Sequence, residues 1–164
     1  MSCLGVLFAL SVNEESNLLA ASGDREALLI VREIESRWDS CWLCELGKSW
    51  EGIHRALTSG QLNLAHDTYP LSHAILSGRR LYFGDDYIVS YVSSSQVKQI
   101  AKALGGTDLE VFRKGYELID RDNGEYSFYG DEDFDYCYEY FTQMQAFYAK
   151  AAEHDRATIF TADQ

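Results

Sequence analysis

An α/β fold, with a small mixed sheet covered by about five to six helices, follows from three observations, α+β being the other form they allow. Short apolar stretches lie near both ends of the chain, at residues 4–10 and 157–160. Between them run apolar stripes at helical spacing, several opened by an N-capping signature, which calls for helices with one buried face. Hydrophobic residues are 46% of 164, aromatics 13%, enough apolar surface to offset the ordering entropy of a core. The length fits one domain over 1–164. One proline and twelve glycines mark turns rather than a linker.

Residues 4–10 read as a strand. Ser11-x-x-Glu14 follows; the hydroxyl can accept from an orphan amide of the first helical turn while the carboxylate reaches back, so the strand feeds a short helix. From Asp24 onward Ala27, Ile30, Val31, Ile34 and Trp38 recur at helical spacing between charges, one buried stripe and one wet face. Trp50, Ile53, His54 and Leu57 occupy i, i+3, i+4 and i+7, a third helix over about 48–58. Ser59-Gly60 ends it, glycine taking the left-handed conformation at low cost. Residues 61–69 are polar loop, and 71–76 fit either a buried strand or a helical turn.

Ser77-Gly78 turns the chain, and 81–83 and 87–92 read as strands on either side of Gly84-Asp85-Asp86. Ser93-x-x-Gln96 is a second capping box, with Val97, Ile100, Ala101 and Leu104 inward and Gly105-Gly106 as the stop. Thr107-x-x-Glu110 opens another helix, with Leu109, Phe112, Tyr116 and Ile119 inward. After a loop over 120–130, Asp131, Glu132 and Asp133 suit the positive end of a helix dipole. The longest helix runs behind them to about 153, burying Phe134, Tyr138, Phe141, Met144 and Tyr148. Residues 157–160 form a last strand, expected near the first in the sheet, with the strand order open.

Charge narrows the partners. Fourteen basic against 26 acidic side chains leave −12, and the sequence pI is near 4.6. Nucleic acid and anionic membrane surfaces both need a positive face and are excluded as main partners. No apolar run reaches the length of a membrane span. The run 3–12 lacks a basic flank and meets Glu14 and Glu15, unlike a signal peptide. Four scattered cysteines make no disulfide framework, so a reducing cytoplasmic compartment is expected.

Candidate chemistry is sparse. Cys41-x-x-Cys44 has the spacing of half a zinc site or of a redox pair. Zinc needs two further ligands, and Cys3, His54, His66, His73 and Cys137 are dispersed. Trp42 and Leu43 fill the gap that a redox pair leaves small, so packing is the expected role, with no metal and no cofactor. His54 lies in an apolar stripe, where a histidine is more often held in the core than reactive. Ser72 and His73 are neighbours in sequence, which does not pair a nucleophile with a base. Asp85 and Asp86 could hold a cation or a substrate hydroxyl, or form a tight turn. Tyr136 and Tyr140 fall outside the inward stripe of the last helix; a crowded core margin is the commoner reason for such a pair, and exposed tyrosines of this kind are also enriched at interfaces.

Several segments together resemble the bacterial YfbM-like family: residues 2–11, the stretch Trp42-Leu43-Cys44-Glu45-Leu46 leading through Trp50 to Arg55, residues 69–76, Gly84-Asp85-Asp86-Tyr87 with 88–90, and the ending 160–164. The chain departs from the family pattern at Gly47 and Phe83, where an Asp and a second Gly are expected. The resemblance spans the whole chain and implies a small α/β domain of helices on a sheet. It implies no activity, because the family is a domain of unknown function.

The leading expectation is a non-enzymatic binding or interaction protein. Its groove would involve Trp50, His54, His73, Asp85, Asp86 and Tyr87, or it would meet a protein partner or second copy through Tyr136 and Tyr140. The rival is a small-molecule hydrolase or transferase with His54 or His73 as proton carrier and Asp85/Asp86 orienting substrate.

Overall fold

The computed structural model describes residues 3–60, 62, 68–122 and 125–163. In chain order the elements are β1 (Gly5–Ala9), α1 (Val12–Leu19), α2 (Asp24–Arg37), β2 (Leu43–Gly47), α3 (Trp50–Leu57), a 3₁₀ turn (Leu71–Ala74), β3 (Arg79–Arg80), β4 (Tyr87–Val92), α4 (Ser94–Gly105), α5 (Leu109–Glu117), α6 (Asp131–Glu153) and β5 (Thr158–Asp163). The strands form one sheet in the order β2-β1-β5-β4-β3. Helices on a small sheet are as expected, but every pairing is antiparallel, where a mixed sheet was expected. The first and last strands pair, Leu7 opposite Phe160.

Side chains alternate across a strand, and this sheet is buried on both faces. Leu7, Cys44, Leu46, Val92 and Phe160 point to a core shared with α3, α4, α5 and α6. Phe8, Leu43, Val89, Tyr91 and Ile159 point to a second core covered by α1 and α2. Three layers result. The larger core is rich in aromatics: Phe112 on α5 stacks on Phe141 of α6 at 4.4 Å and meets Tyr138 and Phe134 at 5.6 and 5.9 Å. Helices α3 and α5 cross backbone to backbone, since a Cβ on Gly115 would run into Ala56 O.

Both capping boxes form, at Ser11 with Glu14 and at Ser93 with Gln96. Ser93→Ala should lower the unfolding free energy by about 1 kcal/mol, read from the urea midpoint; an unchanged midpoint would show that the cap adds nothing. The next helix starts one residue later than expected. Asp108 caps α5 while the Thr107 hydroxyl donates back to Ala103 O, which leaves Leu109 half exposed and starts the inward stripe at Phe112. Gly60, at φ +87°, follows the end of α3 and donates its N–H to Arg55 O.

Two further expectations are corrected. Trp38 does not join the buried stripe of α2; it caps that helix in the left-handed region, half exposed, with its ring edge-on to Phe8 at 5.9 Å. Residues 81–83 are not a strand: Leu81 N–H still donates to Val89 O, and beyond it the chain bends, with Arg80 Nε and Nη2 donating to Tyr82 O and Gly84 O. Of the two forms open to residues 71–76, the helical turn is the one they begin with. Among the described residues no helix is long and apolar enough to cross a membrane.

Candidate functional site

A cleft of about 660 Å³ opens between the start of α3 and the β3–β4 hairpin. Trp50 forms its floor. The indole Nε1–H donates to Cys3 O at 3.1 Å and the ring leans on Phe160 at 5.5 Å, so one side chain anchors α3 to β5 and to the segment ahead of β1. Ile88 on β4 and Leu76 supply the apolar walls. Ser90, two residues after Ile88 and so on the same face, donates through Oγ to Leu76 O (3.2 Å) and accepts from Gly78 N–H (3.1 Å). Those bonds hold the 76–78 turn against the sheet.

The polar rim is built from Ser77, Arg80 and Asp85. Arg80 is held by its two carbonyl partners, at 2.8 and 2.9 Å, and its guanidinium lies over Phe83 at 5.6 Å. The Ser77 hydroxyl oxygen is buried and has no hydrogen-bond partner among the described residues. A buried polar atom without a partner costs free energy that a ligand or water can return.

Of the residues singled out from sequence, Trp50 and Asp85 meet at this cleft. His54 sits one turn further along α3, fully buried in the core. His73 is in the 3₁₀ turn, its ring edge-on to Tyr69 at 4.8 Å and Nδ1 3.0 Å from Ser72 Oγ. That contact resembles a nucleophile with its base, yet Ser72 is 0% exposed, so the hydroxyl meets no substrate, and burial depresses the His73 pKa. Asp86 accepts from Tyr82 OH at 2.7 Å, which holds the carboxylate below its usual range and the phenol above its own. Tyr87 faces the opposite side of the sheet, donating to Glu35 of α2, with burial first and that bond second raising its pKa. The expected groove is therefore split: four of its six residues serve other parts of the fold. Arg80, Ser77 and Ile88 were not singled out.

Residues 1–161 match the family model described as Domain of unknown function (DUF1877). The chain belongs to the DUF1877 family. Among solved structures, YfbM from Escherichia coli, described as a protein of unknown function, is similar at a TM-score of 0.71 and 14% identity, over 97% of this chain and 99% of that one. At that identity the likeness shows the fold alone. No curated protein matches the chain.

In this DUF1877 chain the two cysteines of the CxxC stretch part company. Cys41 is exposed, while Cys44 lies on β2 with its thiol in the core. All four cysteines, Cys3 and Cys137 included, are free thiols. Among the described residues no group of three His, Cys, Asp or Glu could hold a metal ion; His66 lies outside the described residues. The Tyr136 and Tyr140 rings meet edge-on at 4.9 Å, and Tyr136 OH accepts from Lys48 N–H at 3.4 Å, which lays the pair over the β2–α3 turn. Trp42 is covered by cations, Arg156 at 3.5 Å and Lys150 at 4.4 Å from its ring.

Burial pushes the Cys44 and Cys137 thiols up to about 12 from an ordinary 9.0. It also raises the Tyr126 and Tyr148 phenols above their ordinary 10.0. With folded values above unfolded ones, the unfolded chain binds fewer protons than the fold once the pH passes about 9. Stability is then full below pH 9 and falls as the pH rises towards 12. Urea midpoints at pH 8 and 11 check this; equal midpoints would contradict it, and Cys44→Ala should flatten the decline.

Proposed function

We propose that this DUF1877 protein acts by binding, and that the cleft between α3 and the β3–β4 hairpin takes a small organic molecule. The observation that carries the reading is the cleft itself. Its volume, about 660 Å³, falls in the range of ligand pockets, and it combines apolar walls with a few convergent polar groups. Arg80 and Asp85 on its rim are such groups.

The rival, a hydrolase or transferase, would need a reactive group beside the substrate. The Ser72 hydroxyl is buried, His54 is enclosed in the core, and the Cys44 and Cys137 thiols stay protonated at neutral pH. The free thiols support a reducing compartment, the cytoplasm, as the place where the protein works.

A thermal-shift panel of metabolites tests the reading. A ligand at 100 times its Kd should add about 2.7 kcal/mol of stability and raise the Tm. The same compound should shift Ile88→Trp much less, because the larger ring takes up space along the apolar wall where the ligand would lie. No stabilising compound, or an equal shift in Ile88→Trp, would overturn the binding site.

A further inference from the structure

We propose that the molecule held in this cleft is an amino-acid-like zwitterion with an apolar side chain, its carboxylate on Arg80 and its ammonium on Asp85. The inference rests on the reading of the cleft as a ligand site and names the chemistry that the rim selects. Arg80 is prepared for an anion. Two of its nitrogens hold Tyr82 O and Gly84 O, and Phe83 backs the guanidinium. Its Nη1 makes no hydrogen bond among the described residues and keeps its two N–H donors for a ligand. A guanidinium already fixed in place loses little freedom when a carboxylate arrives, and a charge-assisted bond of this kind is among the stronger ones.

Asp85 supplies the opposite charge on the same rim. Its neighbour Asp86 is engaged by the Tyr82 hydroxyl, so Asp85 is the carboxylate of the hairpin tip left to meet a cation. An ionised carboxylate only accepts hydrogen bonds, which an ammonium donates. Between the charged ends, Trp50, Leu76 and Ile88 offer apolar surface to a side chain.

Other ligand classes fit less well. A plain anion would sit beside Asp85 inside a chain of net charge −12, and a plain cation would face Arg80. A neutral apolar molecule would remove water from Arg80 and Asp85 and return no hydrogen bond. One positive and one negative group on one rim are both satisfied by a ligand that carries one of each.

Calorimetric titration of the full chain with L-leucine and L-phenylalanine tests this, beside N-acetyl-L-leucine, which lacks the ammonium, and L-leucinamide, which lacks the carboxylate. Saturable binding of the zwitterions is expected, with each blocked form roughly tenfold weaker or more. Arg80→Gln should weaken L-leucine by a similar factor and leave L-leucinamide unchanged. Asp85→Asn should do the converse, weakening L-leucine and leaving N-acetyl-L-leucine unchanged; this pairing separates lost recognition from a disturbed hairpin. Blocked forms that bind as tightly as the parent would overturn the proposal. So would failure of the zwitterions while another compound class stabilises the wild type much more than Ile88→Trp, a result under which the binding reading stands. If no compound of any class binds the cleft, both fall.

Discussion

Trp50→Ala should cost about 3–5 kcal/mol of unfolding free energy. The indole is 6% exposed and joins three elements, as the first residue of α3, a neighbour of Phe160 on β5, and a donor to Cys3 O ahead of β1. It also lies over Gly5, where a Cβ would come within 2.7 Å of the ring, so β1 carries a glycine at the point of contact. Truncation removes the packing, opens the cleft floor into the core and leaves the Cys3 carbonyl without its donor. Urea unfolding at neutral pH reads the loss. A loss below 1 kcal/mol would place the ring on the surface and remove the floor from the cleft. Trp50→Phe should cost less, since most of the ring volume stays while the hydrogen bond goes.

Phe112→Ala is expected to be as severe, about 3–5 kcal/mol. Phe112 is 1% exposed and stands among Phe134, Tyr138 and Phe141. Stacked and tilted rings contribute beyond the area they bury, and with Gly115 fixing the α3–α5 distance the neighbours have little room to close the cavity. The urea midpoint should drop with little change in slope. Phe112→Leu should recover part of the loss. A near-wild-type midpoint for Phe112→Ala would mean that α5 is not tied to α6 through this ring.

Local chemistry made much of the fold legible. The Ser11 and Ser93 boxes marked two helix starts because both halves of each box lie within four residues, and the acidic triplet at Asp131 marked a third. The residues of α2, α4 and α6 that carry the helical stripe, such as Val31, Ile100 and Phe141, are buried as their spacing required. Strand β2 is hidden by the CxxC spacing that runs into it, of which it holds Cys44. Read as a metal or redox spacing, Cys41 to Cys44 masks the period-two pattern in which Cys44 and Leu46 point inward and Glu45 outward. Strand β3 has two residues, too short for any periodicity.

The cleft was legible only in part, and the reason is again physical. Its residues come from α3, the 76–78 turn, β3 and β4, and no local spacing shows that Trp50 and Arg80 face the same space. Tyr87 and Ile88 are adjacent in sequence and point to opposite faces of the sheet, so which of them reaches the cleft depends on the register of β4 with β5, a long-range property. Nothing local marks Arg80, because its setting depends on two backbone carbonyls beyond it, which only a bent chain brings within reach. His54, by contrast, was readable from its stripe alone, since helical spacing put it among Trp50, Ile53 and Leu57.

The three tryptophans permit the most direct test. Each indole gives its own N–H resonance. Trp50 floors the cleft, Trp42 lies under Arg156 and Lys150, and Trp38 caps α2. On titration with a compound that raises the Tm, the Trp50 indole signal should move saturably, together with the amides of Ser77 and Ile88, while those of Trp38 and Trp42 stay in place. Movement at Trp42 or Trp38 with Trp50 unmoved would contradict the assignment of the cleft as the site of function.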